Sequence, residues 1–209
     1  MDDIIAFYRD GGGWMHAILL TMVVSMAIVI ERFIFINFKN RIDTTAFVNK
    51  ILELLQKGSV ASAVELCSVS KAALPRITKA GLEEFGKSPE DIQQAMELAA
   101  MNEIPKIEKR TNYLSLLANI ATLLGLLGTI FGLIDSFKAV TAADASQKAA
   151  LLAQGIAVAM NTTAFGLVVA IPTLVVYSML NERSTAIINE INENTARIFQ
   201  RLVRGRSPK

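Results

Sequence analysis

The chain has 209 residues, 52% of them hydrophobic, one cysteine, one histidine and a formal charge of only +2, with a mean hydropathy of +0.41. Cys67 alone allows no intrachain disulfide and makes a cysteine metal site untenable. The small net charge gives no case for a nucleic-acid partner.

The hydrophobicity is blocky. Charged side chains are absent from Gly11–Ile30, Thr111–Ile134 and Ala149–Leu180. At ~1.5 Å per helical residue each block can cross a ~30 Å hydrocarbon layer, and only helical backbone satisfies its own polar groups there. The expectation is an all-α integral membrane protein: three transmembrane helices, a helical cytoplasmic domain, and a third helix that runs on into the cytoplasm.

In chain order, residues 1–13 form an outside interfacial segment. Acids at Asp2 and Asp3, with no small-residue cleavage site, argue against a signal peptide. Ile4, Ile5, Phe7 and Tyr8 give residues 2–9 an amphipathic pattern, and Gly11, Gly12 and Gly13 form a hinge before Trp14. The first span covers 14–37, with Glu31 and Arg32 in its last turns placed to pair or snorkel. Lys39, Arg41, Lys106, Lys109 and Arg110 flank residues 38–112, and Arg183, Arg197, Arg201, Arg204, Arg206 and Lys209 fill the tail. Arg9 is outnumbered by Asp2, Asp3 and Asp10, and Lys138 and Lys148 are matched by Asp135 and Asp144. Basic residues stay inside, so the N-terminus is outside and both 38–112 and the tail 181–209 are cytoplasmic.

Within 38–112, Phe47, Val48, Ile51, Leu52, Leu54 and Leu55 suit a helix ending near Lys57-Gly58, and a second runs from Ala61 to Val69. Ser88-Pro89-Glu90-Asp91 starts another, expected to continue through Pro105, with a kink, into the second span. No nucleotide-binding loop is present.

The second span, 113–137, carries Thr122, Gly125, Thr129, Gly132 and Ser136 on one face, and Gly128 with Gly132 makes a GxxxG pair. By pattern alone that face serves tight packing or lines a polar path. A short outside loop, 138–148, leads to the third span, 149–180. There Asn161, Thr162 and Thr163 lie near mid-span, Gly155, Ala159, Thr163 and Gly166 repeat at helical spacing, and Pro172 is expected to bend the helix. Beyond it Ile187, Ile191, Ile198 and Leu202 form an apolar face that must be covered by this subunit or a neighbour.

One histidine and one cysteine assemble no catalytic triad or metal cluster, so no catalytic or metal residues are assigned and the chain is read as not an enzyme. The span centres hold hydroxyls and one amide but no group that titrates near neutral pH. A proton carried here needs a titrating group from another polypeptide.

Leu124-Gly125-Leu126-Leu127-Gly128-Thr129-Ile130-Phe131-Gly132 with Ser136-Phe137 resembles the second-span motif of the MotA/TolQ/ExbB proton-channel family. Gly155-Ile156-Ala157, Thr163-Ala164-Phe165-Gly166-Leu167 and Ala170-Ile171-Pro172 resemble its third-span motif. Three spans place the chain nearer ExbB and TolQ than MotA. The resemblance implies a homo-oligomer, a pentamer, around two copies of an ExbD/TolR-like single-span partner whose membrane aspartate titrates. It also implies an inner-membrane motor that conducts H⁺ or Na⁺, with no cofactor, and energises envelope transport, envelope maintenance or gliding motility. Thr129 and Thr163 match the family's pore threonines, and Asn161 and Thr162 join them as candidate contacts of the ion pathway and partner aspartate. Gly125, Gly128, Gly132, Gly155, Ala159 and Gly166 are assigned to helix packing. Where ExbB and TolQ carry a glutamate in a GIAEAL-like run, this chain has Val158. The alternative reading is a structural membrane scaffold without ion conduction.

Overall fold

A computed structural model describes residues 7–8, 11–36 and 42–204, with the side chain of residue 142 excepted. The basic residues Arg9, Lys39, Arg41, Arg206 and Lys209, the acids Asp2, Asp3 and Asp10, and Ile4 and Ile5 lie outside that set. Of the proposed N-terminal amphipathic stretch, Phe7 and Tyr8 are described, and both are helical.

All regular structure among the described residues is helical: α1 Trp14–Ile34, α2 Thr44–Gln56, α3 Val60–Val69, α4 Ala73–Glu83, α5 Pro89–Glu108, α6 Thr111–Ala142 and α7 Lys148–Arg204. α1, α6 and α7 contain segments long and apolar enough to cross a membrane. The chain divides into two compact units. One comprises residues 1–30 and 110–179, the other residues 31–109 and 180–209.

In the first unit, Ile18 of α1, Ala118 and Ala121 of α6, and Val169 and Ala170 of α7 are buried together, with Met22, Leu124 and Phe165 against them. Alanines at the contact let the helices approach closely, the usual solution where lipid supplies no hydrophobic drive. Hydroxyls on these helices bond back to their own turn. Thr21 donates to the Ala17 carbonyl, Ser25 to Thr21 and Thr173 to Val169, so no hydroxyl of this trio is left unmet in an apolar setting.

The second unit has an ordinary apolar core. Phe47, Val48 and Ile51 of α2, Cys67 of α3, Leu74, Ile77 and Leu82 of α4, and Ile92, Met96 and Ile107 of α5 pack with Ile191, Ile198 and Leu202 of α7. The apolar face of the α7 tail is therefore covered inside the chain and does not by itself call for a neighbouring subunit. Ser88 accepts from the Asp91 amide while the Asp91 carboxylate accepts from the Ser88 amide, a capping box that fixes the start of α5.

Two local features depart from the sequence-based reading. α4 contains Pro75 and Gly81, and no helix was expected there. Pro75 occupies the first turn, where an amide has no intrahelical partner to lose. Gly81 lies against Met96, where an added Cβ would fall 2.6 Å from the Met96 Cγ. The second departure concerns α5, which does continue through Pro105 but stops at Glu108. Arg110 then takes a left-handed φ of 67° before α6 begins, so α5 and α6 are two helices.

Arg32 explains how α5 can end inside the protein. It is 2% exposed, and its guanidinium lies 3.4 Å from the carbonyl oxygens of Lys106 and Ile107. Those carbonyls are among the last of α5 and have no amide to accept from in their own helix. The cation also suits the negative end of the helix dipole. Glu31 pairs with it at 3.4 Å, and the Phe35 ring lies 4.9 Å away beneath it.

Candidate functional site

The site is built from what α6 and α7 lack. Neither Thr111–Ile134 nor Ala149–Leu180 holds a charged side chain, and at several points neither presents a side chain where they touch. A Cβ added to Gly125 would lie 3.2 Å from the Thr163 Cα, and one on Gly132 would lie 3.3 Å from the Ala159 Cβ. On Gly166 it would reach 2.8 Å from the Ala121 carbonyl oxygen. Gly128 faces the Thr162 side chain and Trp14, and Gly155 faces Ser136. The glycines thus form a close seam between α6 and α7, and Ala159, 1% exposed, is buried in it.

That seam brings two hydroxyls together. Thr129 on α6 and Thr163 on α7 hydrogen-bond to each other. Thr163 Oγ1 also donates to the Gly125 carbonyl at 2.9 Å, and Thr129 Oγ1 lies 3.2 Å from the carbonyls of Gly125 and Ala159. Both residues are half-buried. Two hydroxyls carry two protons between them: one makes the hydroxyl–hydroxyl bond and the other goes to a backbone carbonyl. What remains is acceptor lone pairs, together with rotors that can swing a proton from a carbonyl to another acceptor. The pair can therefore receive or donate a hydrogen bond without gaining or losing a proton.

The neighbouring polar residues are placed differently. Thr162 is 1% exposed and donates to the carbonyls of Gly11, at 2.8 Å, and Val158, at 3.0 Å. It was grouped with Thr163 on sequence, but its hydroxyl is spent inside the unit. Asn161 is half-buried and makes no side-chain hydrogen bond to the described residues. Thr122 is exposed and bonds back to Ala118 at 3.1 Å. Pro172 lies within α7 and leaves the helix without one amide donor.

Val158 lines a cavity of about 450 Å³ with Gly11, Gly12, Trp14, Gly132 and Asp135. Two participants escaped the sequence reading. One is the Gly11 carbonyl, which no side-chain pattern announces. The other is Asp135, the first charge after the apolar run of α6, which pairs with Lys138 at 3.5 Å.

Residues 69–193 match the model of the MotA/TolQ/ExbB proton channel family. The chain belongs to that family. It is 30% identical over 187 residues to a Synechocystis protein described as a putative biopolymer transport protein ExbB-like 3, covering 86% of this chain and 87% of that one. A Haemophilus influenzae Tol-Pal system protein TolQ is 34% identical over 143 residues, 61% of this chain and 62% of the relative. A putative ExbB homolog of Methanothermobacter thermautotrophicus is 24% identical over 188 residues, 90% of this chain and 66% of the relative. The fold is shared with a chain of the C. jejuni MotAB structure at a TM-score of 0.63 and 17% identity, over 92% of this chain and 76% of that one. Membership rests on a region that includes α5, α6 and the apolar half of α7, hence both threonines. The family assignment and the all-α membrane fold expected from the motifs both hold.

Proposed function

We propose that this chain is the ring-forming subunit of an inner-membrane motor driven by the ion-motive force. It conducts H⁺ or Na⁺ together with an ExbD/TolR-like single-span partner, and passes the energy to envelope transport, envelope maintenance or motility. The observation that carries this reading is the Thr129–Thr163 hydroxyl pair, set where two helices meet along the runs Thr111–Ile134 and Ala149–Leu180, which hold no Asp, Glu, Lys, Arg or His. Such a pair can hold a carboxyl group in either protonation state, accepting from the acid and donating to the anion. It cannot itself carry the proton. The titrating group is then the partner's membrane aspartate, and the conducting unit is a pentamer of this chain around two partner copies. The N-terminus lies outside and the α7 tail in the cytoplasm.

Val158 bears on the mechanism. A valine cannot relay a proton, so the partner carboxylate serves alone, with Thr129 and Thr163 as its hydrogen-bonding stations.

A structural scaffold without conduction is the second reading. The observation in its favour is that Gly125, Gly132 and Gly166 are all spent on packing within the subunit. Co-purification with an ExbD/TolR-like single-span protein, followed by subunit counting, separates the two. The motor reading expects a stable complex of five chains with two partners. A ring that never retains a partner supports the scaffold.

A further inference from the structure

We infer that the second unit carries a binding site for the phosphate of an anionic phospholipid. A small cavity, about 80 Å³, is lined by Phe35, Lys71, Arg76, Glu103, Lys106 and Ile107. A water molecule claims roughly 30 Å³ in the liquid, so the cavity suits one tetrahedral oxyanion and not a substrate of any size.

Three cations meet one carboxylate there. Glu103, buried to 13% side-chain exposure, pairs with Arg76 at 3.0 Å and with Lys106 at 2.6 Å. One acid cannot neutralise both, and it holds two donors in fixed positions. Lys71, exposed at the entrance to α4, has no carboxylate within ion-pair distance among the described residues. Arg32 bonds to the Lys106 and Ile107 carbonyls beside the cavity and has Glu31 as its own counter-ion. The lining is thus net cationic, three cations against one carboxylate, with Arg76 and Lys106 held by Glu103 and Lys71 exposed at its edge.

Its position in the chain selects the source of the phosphate. Phe35 follows directly on α1, a helix apolar enough to cross a membrane, and Phe33 and Ile34 before it are exposed. A cationic pocket whose lining begins one residue after a membrane-length helix, with exposed apolar side chains just before it in sequence, suits a lipid headgroup. A soluble phosphate would gain nothing from those side chains.

The test uses the full chain in a nonionic detergent, offered equal amounts of dioleoylphosphatidylglycerol and dioleoylphosphatidylcholine, with bound lipid counted by native mass spectrometry. The protein is expected to retain phosphatidylglycerol preferentially. Lys71→Gln, which breaks no ion pair, is expected to cut that preference about fivefold, the weight of one cation near an anionic headgroup. Lys71→Arg is expected to keep it, as is Lys57→Gln, which removes a cation outside the cavity. Equal retention of the two lipids by the unaltered protein would overturn the proposal, independently of any variant. So would an undiminished preference in Lys71→Gln. Binding of inorganic phosphate that depends on Lys71, without preference between the lipids, would overturn the lipid source.

Discussion

The Cα of Gly166 on α7 packs so closely on Ala121 of α6 that a methyl group there would stand 2.8 Å from the Ala121 carbonyl oxygen and 3.1 Å from the Gly125 Cα. Both neighbours are backbone, which cannot swing aside as a side-chain tip can. Gly166→Ala should therefore push α6 and α7 apart and cost about 1–3 kcal/mol. A thermal melt in detergent checks this. The same change should also separate Thr129 from Thr163, so conduction should fall even where the protein stays folded.

The start of α5 rests on the reciprocal Ser88–Asp91 cap, with the Asp91 amide donating to Ser88 Oγ at 3.1 Å. Ser88→Ala removes the acceptor and should cost about 1 kcal/mol. A denaturant titration of the full chain reads it, and Ser88→Thr should recover much of the loss.

Glu103 gives the second unit a sign of pH dependence. Desolvation is the largest single influence and pushes its pKa up, but the hydrogen bonds from Lys106 and Arg76, with their charges, outweigh it and hold the carboxyl below its ordinary value. A depressed folded-state pKa means that the unfolded chain binds the proton more readily. The stabilisation is present above the ordinary glutamate value of about 4.3, and it is lost as pH falls through the folded value. Stability measured across that acid range should drop in the unaltered protein and follow a flatter curve in Glu103→Gln.

Cys67 tests the packing of α3. The side chain is 1% exposed, and burial pushes the thiol up to about 12. It should react with a maleimide or disulfide reagent only as fast as the second unit opens, and promptly once the chain is denatured. Fast labelling of the folded protein would mean that α3 does not pack as described.

Much of this architecture could be read from residue order because lipid imposes coarse rules. Three charge-free runs can only be helices, and Ser88-Pro89-Glu90-Asp91 combines three independent start signals. α4 was hidden because Pro75 and Gly81 look like breaks. Only the structure shows that Pro75 stands in the first turn and that Gly81 makes room for Met96. The break at Arg110 has neither glycine nor proline to announce it. The site was half visible. Thr129 and Thr163 were marked by their motifs, yet Thr162 carries the same side chain one position away. A step of 100° around the helix turns it to Gly11 instead. Which hydroxyl faces which neighbour depends on helix phase against a second helix, and no single-helix pattern holds that information. For the same reason the small-residue stripe could not be divided between packing and lining until Gly125, Gly132 and Gly166 were seen against their neighbours.

The central claim is that the Thr129–Thr163 pair serves ion transfer and not only helix contact. Thr163→Val keeps the shape and removes the hydroxyl that donates to Gly125 at 2.9 Å. The decisive measurement is ion flux in liposomes holding this chain together with its single-span partner, compared between Thr163 and Thr163→Val complexes of equal subunit composition. The account expects the variant to assemble normally and to lose flux. Flux undiminished in an intact Thr163→Val complex would contradict it.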